Sequence, residues 1–182
     1  MSLEGLLARL VPILEHALAT YMITGSVASS VHGSPRSTRD LDIVIAPSRE
    51  QLLVMMQQFS QSEYYADKEQ AMHAFSHPSQ FNVIDFATGW KIDFIIAEDS
   101  EYGRVAMERR QLSDLGTVSA YFASAEDVLL AKLRWARMGG SDRQLQDAFG
   151  IVRTQGPKLD IAYVEHWVRE LSLEKQWAAV RE

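Results

Sequence analysis

Apolar residues recur at helical spacing from the start of the chain. Leu3, Leu6, Leu7, Leu10, Ile13, Leu14 and Leu18 fall on one side of a helix, which predicts an amphipathic helix over residues 3–19. Pro12 is expected to kink or divide it, because proline removes a donor from the helix interior. The period then changes. Residues 21–24 form a short β-prone run that ends at Gly25-Ser26, and residues 27–31 read as a short helix after that turn. Past a loop with Gly33, Ser34 and Pro35, residues 40–45 alternate as a strand, with Leu41, Ile43 and Ile45 sharing one face. Ser48 with Gln51 makes a capping box for a helix reaching about Phe59, and residues 67–75 read as another helix.

Residues 81–86 and 90–96 are β-rich runs joined by Ala87-Thr88-Gly89, a hairpin signal, and residues 117–122 add a further strand. From Ser124 the pattern is helical. Ser124 and Asp127 cap a helix that stops at Gly139-Gly140, Ser141 caps the next, and residues 160–170 and 173–181 carry two more. The predicted class is α+β: a small mixed β-sheet flanked by helices, with a helical C-terminal portion. A division follows, with an α/β core over residues 1–122 and a helical region over 123–182 that completes a cleft.

Composition narrows the class of protein. The chain has 182 residues, 47% of them hydrophobic and 23% charged, which is ordinary for one globular unit able to bury a core. It has no cysteine, so thiol catalysis and Cys-ligated zinc are excluded. Its apolar runs are short, as at residues 52–56, so no membrane span is expected. Glu4 stands where a signal peptide would be basic, and a cytoplasmic location is the expectation. A formal net charge of −6 argues against non-specific coating of duplex DNA, while a local basic patch can still hold phosphates.

Three carboxylates sit where a plain core does not want them. Asp40 and Asp42 share one strand face, about 7 Å apart by the strand rise. Asp93 lies mid-strand between Ile92 and Phe94. If the two strands pair side by side, the three converge as hard oxygen ligands suited to Mg²⁺, the cation that accompanies nucleotide phosphates. Gly25-Ser26 precedes them at a strand-to-helix turn, where a glycine permits close backbone approach and free N–H groups suit an anion.

With these residues in place the sequence resembles the DNA polymerase β-like nucleotidyltransferase superfamily, and within it the AbiEii-type and related bacterial enzymes. Gly25-Ser26 looks like the phosphate-holding turn, Asp40-x-Asp42 like the metal-binding acid pair and Asp93 like the third acid. The run Arg36-Ser37-Thr38-Arg39-Asp40-Leu41-Asp42 resembles an Arg-x-Thr-x-Asp-x-Asp segment, and Lys91-Ile92-Asp93-Phe94 a Lys-x-Asp strand. Asp127 with Lys132, then Arg143 with Asp147, resemble two helical motifs, although Gln146 stands where these toxins commonly have lysine. The likeness spans about residues 24–152. It implies a nucleotidyltransferase fold and an enzyme that moves a nucleoside monophosphate from an NTP to an acceptor hydroxyl of RNA, protein or a small molecule. Mg²⁺ or Mn²⁺ would be held by Asp40, Asp42 and Asp93, the catalytic acids, with Gly25, Ser26, Arg36, Thr38 and Lys132 on the nucleotide. A toxin role with a cognate antitoxin as partner is also implied; the alternative is an inactive nucleotide- or partner-binding module of the same fold.

The helix wheel adds its own reading. Val128, Leu129, Trp135 and Ala136 lie within about 60° of Lys132, which therefore leaves the centre of an apolar face and either snorkels to an edge or meets anions in a cleft. Asp127 points elsewhere and reads as a capping acid. Arg143 and Asp147, one turn apart, read as a surface pair unless Arg143 faces the triphosphate. His73 and His77 have zinc-like spacing, but Pro78 and the helix end speak against a site. Trp135, Trp167 and Trp177 are expected in helix packing, and Arg104, Arg109 and Arg110 on a solvated helix face or, otherwise, a basic rim for nucleic acid. Asp85 alternates with Val83 on its strand and is a candidate fourth acid, although nothing distinguishes it from an exposed residue.

Overall fold

Seven strands form one mixed sheet in the order β3-β4-β5-β2-β1-β7-β6. They are β1 (Thr20–Thr24), β2 (Asp40–Ala46), β3 (Tyr64–Ala66), β4 (Gln80–Asp85), β5 (Lys91–Ile96), β6 (Gln111–Leu115) and β7 (Val118–Phe122). The computed structural model describes residues 2–35 and 37–181. The helices are α1 (Leu3–His16), α2 (Gly25–His32), α3 (Arg49–Gln58), α4 (Lys68–Ser76), α5 (Glu101–Glu108), α6 (Ala125–Gly139), α7 (Asp142–Gln155), α8 (Ile161–Glu170) and α9 (Glu174–Ala178). No helix is long and apolar enough to cross a membrane among the described residues.

The period-two pattern decides the two faces of the sheet. Ile43 and Ile45 of β2, Ile92 and Phe94 of β5, and Ile23 of β1 are all fully buried, and Phe59 at the end of α3 packs on Phe94 with ring centroids 6.1 Å apart. The alternate residues form the floor of a cleft on the opposite face, including Thr24, Asp42, Val44, Asp93 and Ile95. β2 runs antiparallel to β1 but parallel to β5, and the register sets Asp42 opposite Thr24 on one side and Asp93 on the other. The parallel pair makes the expected convergence possible, because a parallel neighbour brings the same ends of both strands to one edge.

Local signals account for most element ends. Ser48 and Gln51 form the full capping box expected, and Gly140 closes α6 in the left-handed region at φ 59°. Helix α1 stops three residues earlier than the periodicity suggests. Leu18 turns left-handed at φ 53°, with Leu18 N–H donating to Glu15 and Ala19 N–H to Leu14, a Schellman ending that frees the chain to enter β1. Pro12 does not divide the helix. Pro12 and Ala8, whose carbonyl loses its donor, are both exposed, so the lost bond falls on the solvent side of the helix and not in the core. Ser141 precedes α7 as expected but makes no side-chain cap. Strands β3 and β6 and helix α5 are additions; β6 is an edge strand with no buried residue and hence no apolar alternation to reveal it.

Asp85 corrects the sequence reading. It is 1% exposed, pairs with Arg9 of α1 at 2.7 Å, and accepts from the N–H and hydroxyl of Thr88 in the β4–β5 turn. It faces away from Asp93, since Asn82 is the β4 residue in register with Asp93. Its work is to tie the hairpin turn to the first helix. Asp85→Ala should lower stability by roughly 1–3 kcal/mol, through lost hydrogen bonds rather than a stranded charge, because Arg9 can reach water. Urea melts of the two proteins test this, and an unchanged midpoint would refute it.

Candidate active site

Strand β1 delivers the chain to Gly25 at the mouth of the cleft, where α2 begins at once. Gly25 adopts φ +63°, and a Cβ there would lie 1.9 Å from Asp42 Oδ2, so only glycine allows the acid to sit against the turn. Ser26 N–H, at the start of α2, donates to the Asp42 carboxylate. The positive end of α2 is thus aimed at the acid pair and at any anion placed beside it.

Asp40, Asp42 and Asp93 line one cleft of about 550 Å³ together with Gly25, Ser26 and Lys132. Burial pushes the Asp42 carboxyl above the ordinary aspartate range, and Asp93 and then Asp40 push it further, against the opposing pull of the Ser26 N–H and Lys132. Lys91, two residues before Asp93 on the same strand face, donates to Asp93 Oδ2 at 2.7 Å. Its ammonium is held above the usual lysine range by that bond first, with Asp93, Asp40 and Asp42 all adding charge attraction. The acids therefore share a single electrostatic neighbourhood. Among the described residues no three acid or histidine side chains are drawn together as one ligand cage, and the Asp93 carboxylate is bonded to Lys91.

The remaining predicted residues fall into place unevenly. Lys132 is 3% exposed on the cleft wall and pairs with Asp147 Oδ2 of α7 at 2.8 Å. It reaches an interior cleft, the second of the two readings for that helix face, and Asp147 belongs to it rather than to Arg143. Arg143 is exposed on the wall near the α6–α7 turn. Thr38 lies just before β2, where its hydroxyl accepts from the Asp40 N–H at 3.1 Å and so fixes the first residue of the strand. Arg36 falls outside the described residues.

Asp127 touches the cleft, yet its carboxylate is spent on packing. Ser124 Oγ and Tyr163 OH donate to it at 2.6 Å each, and Arg109 Nε lies 3.6 Å away. Burial raises its carboxyl above the ordinary range, and burial with the bond to Asp127 raises the Tyr163 hydroxyl likewise. Ser124 is the cap of α6, accepting from the Asp127 N–H at 3.1 Å, while the Asp127 carboxylate, expected to serve as a capping acid, accepts instead from the Ser124 and Tyr163 hydroxyls.

Two expectations are overturned. Trp135 is 52% exposed on the cleft wall rather than packed, whereas Trp167 and Trp177 are buried. Arg109 and Arg110 are not a solvated face or a free rim: Arg109 pairs with Glu126 and covers the Tyr163 ring at 3.8 Å, and Arg110 covers Tyr121 at 4.8 Å. Arg104 remains exposed, paired with Asp99. His73 and His77 stack on one another at the exposed end of α4. Lys91 is the residue whose role sequence reasoning missed, although its spacing from Asp93 on a strand already placed both on one face. No local signal announces the Lys132–Asp147 pair, which joins two helices.

The raised Asp42 carboxyl has a sign that can be tested. Native protein holds the proton more tightly than unfolded chain, so this group lowers stability as pH rises above the unfolded aspartate value near ~3.9, and the penalty is absent below it. Asp42→Asn should raise the metal-free melting temperature at neutral pH, and the gain should shrink to nothing near ~pH 3. Melts of both proteins across that range decide it; a difference that does not vary with pH would contradict the burial argument.

No family model matches the chain, and no curated protein sequence matches it significantly. Solved structures do. The crystal structure of ANT(2″)-Ia in complex with adenylyl-2″-tobramycin is similar with a TM-score of 0.60 at 9% identity, covering 92% of this chain and 97% of that one. The solution structure of the antibiotic-resistance factor ANT(2″)-Ia is similar with a TM-score of 0.54 at 10% identity, covering 94% of each. At such identities the likeness is one of architecture, and the mixed sheet with its flanking helices is a nucleotidyltransferase fold.

Proposed function

We propose that the chain is a metal-dependent nucleotidyltransferase that transfers a nucleoside monophosphate from an NTP to an acceptor hydroxyl. The observation that carries this reading is the pairing of Asp42 with Asp93 across parallel strands, directly below the N-terminus of α2 and facing Lys132.

The donor set fits a hard divalent cation. Burial first, and the neighbouring Asp93 and Asp40 carboxylates after it, hold the Asp42 carboxyl above the ordinary aspartate range, and a cation beside it would relieve both. Mg²⁺ is commonly held by one or two carboxylates plus substrate phosphates rather than by a complete protein cage. Asp40 and Asp42 would hold it, with Asp93 close by, and its chemistry is to neutralise phosphate charge and lower the pKa of a bound hydroxyl. The chain's own groups do the rest. Ser26 and the start of α2 orient the terminal phosphates, and Lys132 offsets charge on the departing pyrophosphate. Asp93 accepts the proton of the acceptor hydroxyl as its oxygen bonds to the α-phosphorus and the bond to the β-phosphate oxygen breaks.

A small-molecule acceptor suits the cleft better than RNA. An RNA end would call for a row of free cations along the rim; Arg109 and Arg110 are engaged within the fold and Arg134 is paired with Glu98 at 2.6 Å, which leaves Arg143 as a single exposed arginine on the cleft wall among the described residues. The structural neighbour solved with adenylyl-2″-tobramycin favours the same reading.

Asp93→Asn should slow transfer by about 10²–10⁴-fold while leaving NTP affinity within a few-fold, the signature of a base that acts on the acceptor. Pyrophosphate release with labelled NTPs, Mg²⁺ and a panel of hydroxyl-bearing small molecules or RNA ends measures the first, and calorimetry the second. Unchanged transfer by the variant would remove Asp93 from the mechanism. NTP binding without release from any acceptor would favour the binding-module reading.

A further inference from the structure

Beyond Lys132 the cleft changes character. Trp135 and Met138, three and six residues further along α6, line its wall at 52% and 70% exposure. By the helical rise they stand about 4.5 and 9 Å along the axis from Lys132. A tryptophan half open to water leaves a large flat apolar surface uncovered. Among the described residues no aromatic ring or guanidinium lies against it. Tyr102, Ala106 and Val128 also line the cleft but are buried, so they offer no comparable open surface. Across the Gly139-Gly140 turn, Gln144 of α7 lines the same cleft as Trp135, and its buried Oε1 has no hydrogen-bond partner among the described residues.

A ligand anchored by phosphates at Ser26 and Lys132 extends toward the open end, where it meets a flat ring and an unsatisfied amide. That combination suits a planar, hydrogen-bonding heterocycle: stacking recognises its face, and a carboxamide recognises its edge. We propose that Trp135 is the platform on which the nucleobase stacks and that Gln144 meets the base edge, making the C-terminal end of α6 the nucleoside subsite. The assignment rests on the nucleotide reading of the cleft given above.

The test compares inorganic triphosphate with ATP, CTP, GTP and UTP, titrated calorimetrically in Mg²⁺ into the wild type, Trp135→Ala and Trp135→Phe. The wild type should bind its preferred nucleotide about fivefold to a hundredfold more tightly than bare triphosphate. Trp135→Ala should erase that margin without changing triphosphate affinity, Trp135→Phe should keep most of it, and Gln144→Leu should narrow the spread among the four nucleotides. In wild-type protein the nucleotide, but not triphosphate, should quench tryptophan fluorescence, and Trp135→Phe, which keeps an aromatic ring and with it the fold, should abolish the quench. A margin that survives Trp135→Ala, equal losses for triphosphate and nucleotide, or a quench that persists in Trp135→Phe would overturn the subsite. A wild type that binds triphosphate and nucleotide equally would overturn it and leave the transfer reading standing. Binding of neither would overturn both.

Discussion

Like charge forced into a confined space governs this structure. Asp42 and Asp93 are in register on adjacent parallel strands, with backbones about 4.8 Å apart by strand spacing, on a half-buried floor where water screens them poorly. Bringing two carboxylates so close is unfavourable unless positive charge or donors are supplied. The surroundings supply them from several directions: the Ser26 N–H at the start of α2, the Lys91 ammonium on Asp93, and Lys132 from the opposite wall. This gathering of acids, with Asp42 buried among them, is the ground on which we propose that the cleft takes a cation and the anion that accompanies it.

The rest of the fold can be read as support for that arrangement. Gly25 has no side chain because Asp42 occupies the space where one would be, and its left-handed backbone starts α2 at the acid. The buried Lys132–Asp147 pair links α6 to α7 and keeps an ammonium on the cleft wall without leaving it uncompensated. Further back, Asp127, Ser124, Tyr163, Arg109 and Glu126 form a buried polar cluster joining α5, α6 and α8, and Glu126 also accepts from the Asp160 N–H that opens α8. That cluster sets the pose of α6, and with it the direction in which Lys132 and Trp135 project.

Much of this was legible in the chain. Alternation in residues 40–45 and 90–96 marked the strands, their inward apolar residues and their outward acids, because a strand's two faces follow directly from its period of two. The Ser48–Gln51 box, the Gly139-Gly140 stop and the Gly25-Ser26 turn were legible for a similar reason: each depends on backbone conformation and on donors only a few residues away. The nucleotidyltransferase fold was implied by a family resemblance carried by Gly25-Ser26, Asp40-x-Asp42 and Asp93, and the order of elements agrees with it.

Only the tertiary structure decided which charges meet. Asp85 and Asp93 look alike on paper, each an acid within a β-rich run, yet a difference in facing puts one beneath Arg9 as a structural tie and the other in the cleft. Trp135 and Trp167 both lie in amphipathic helices, but α8 buries one while α6 turns the other toward open space. Arg109, Asp147 and Tyr163 acquire their partners from helices distant in sequence. Local sequence determines what each segment is and which side of it is apolar, because backbone propensity and side-chain period act over a few residues. The partner of a buried charge is set by how whole elements pack, and that information is spread over the entire chain.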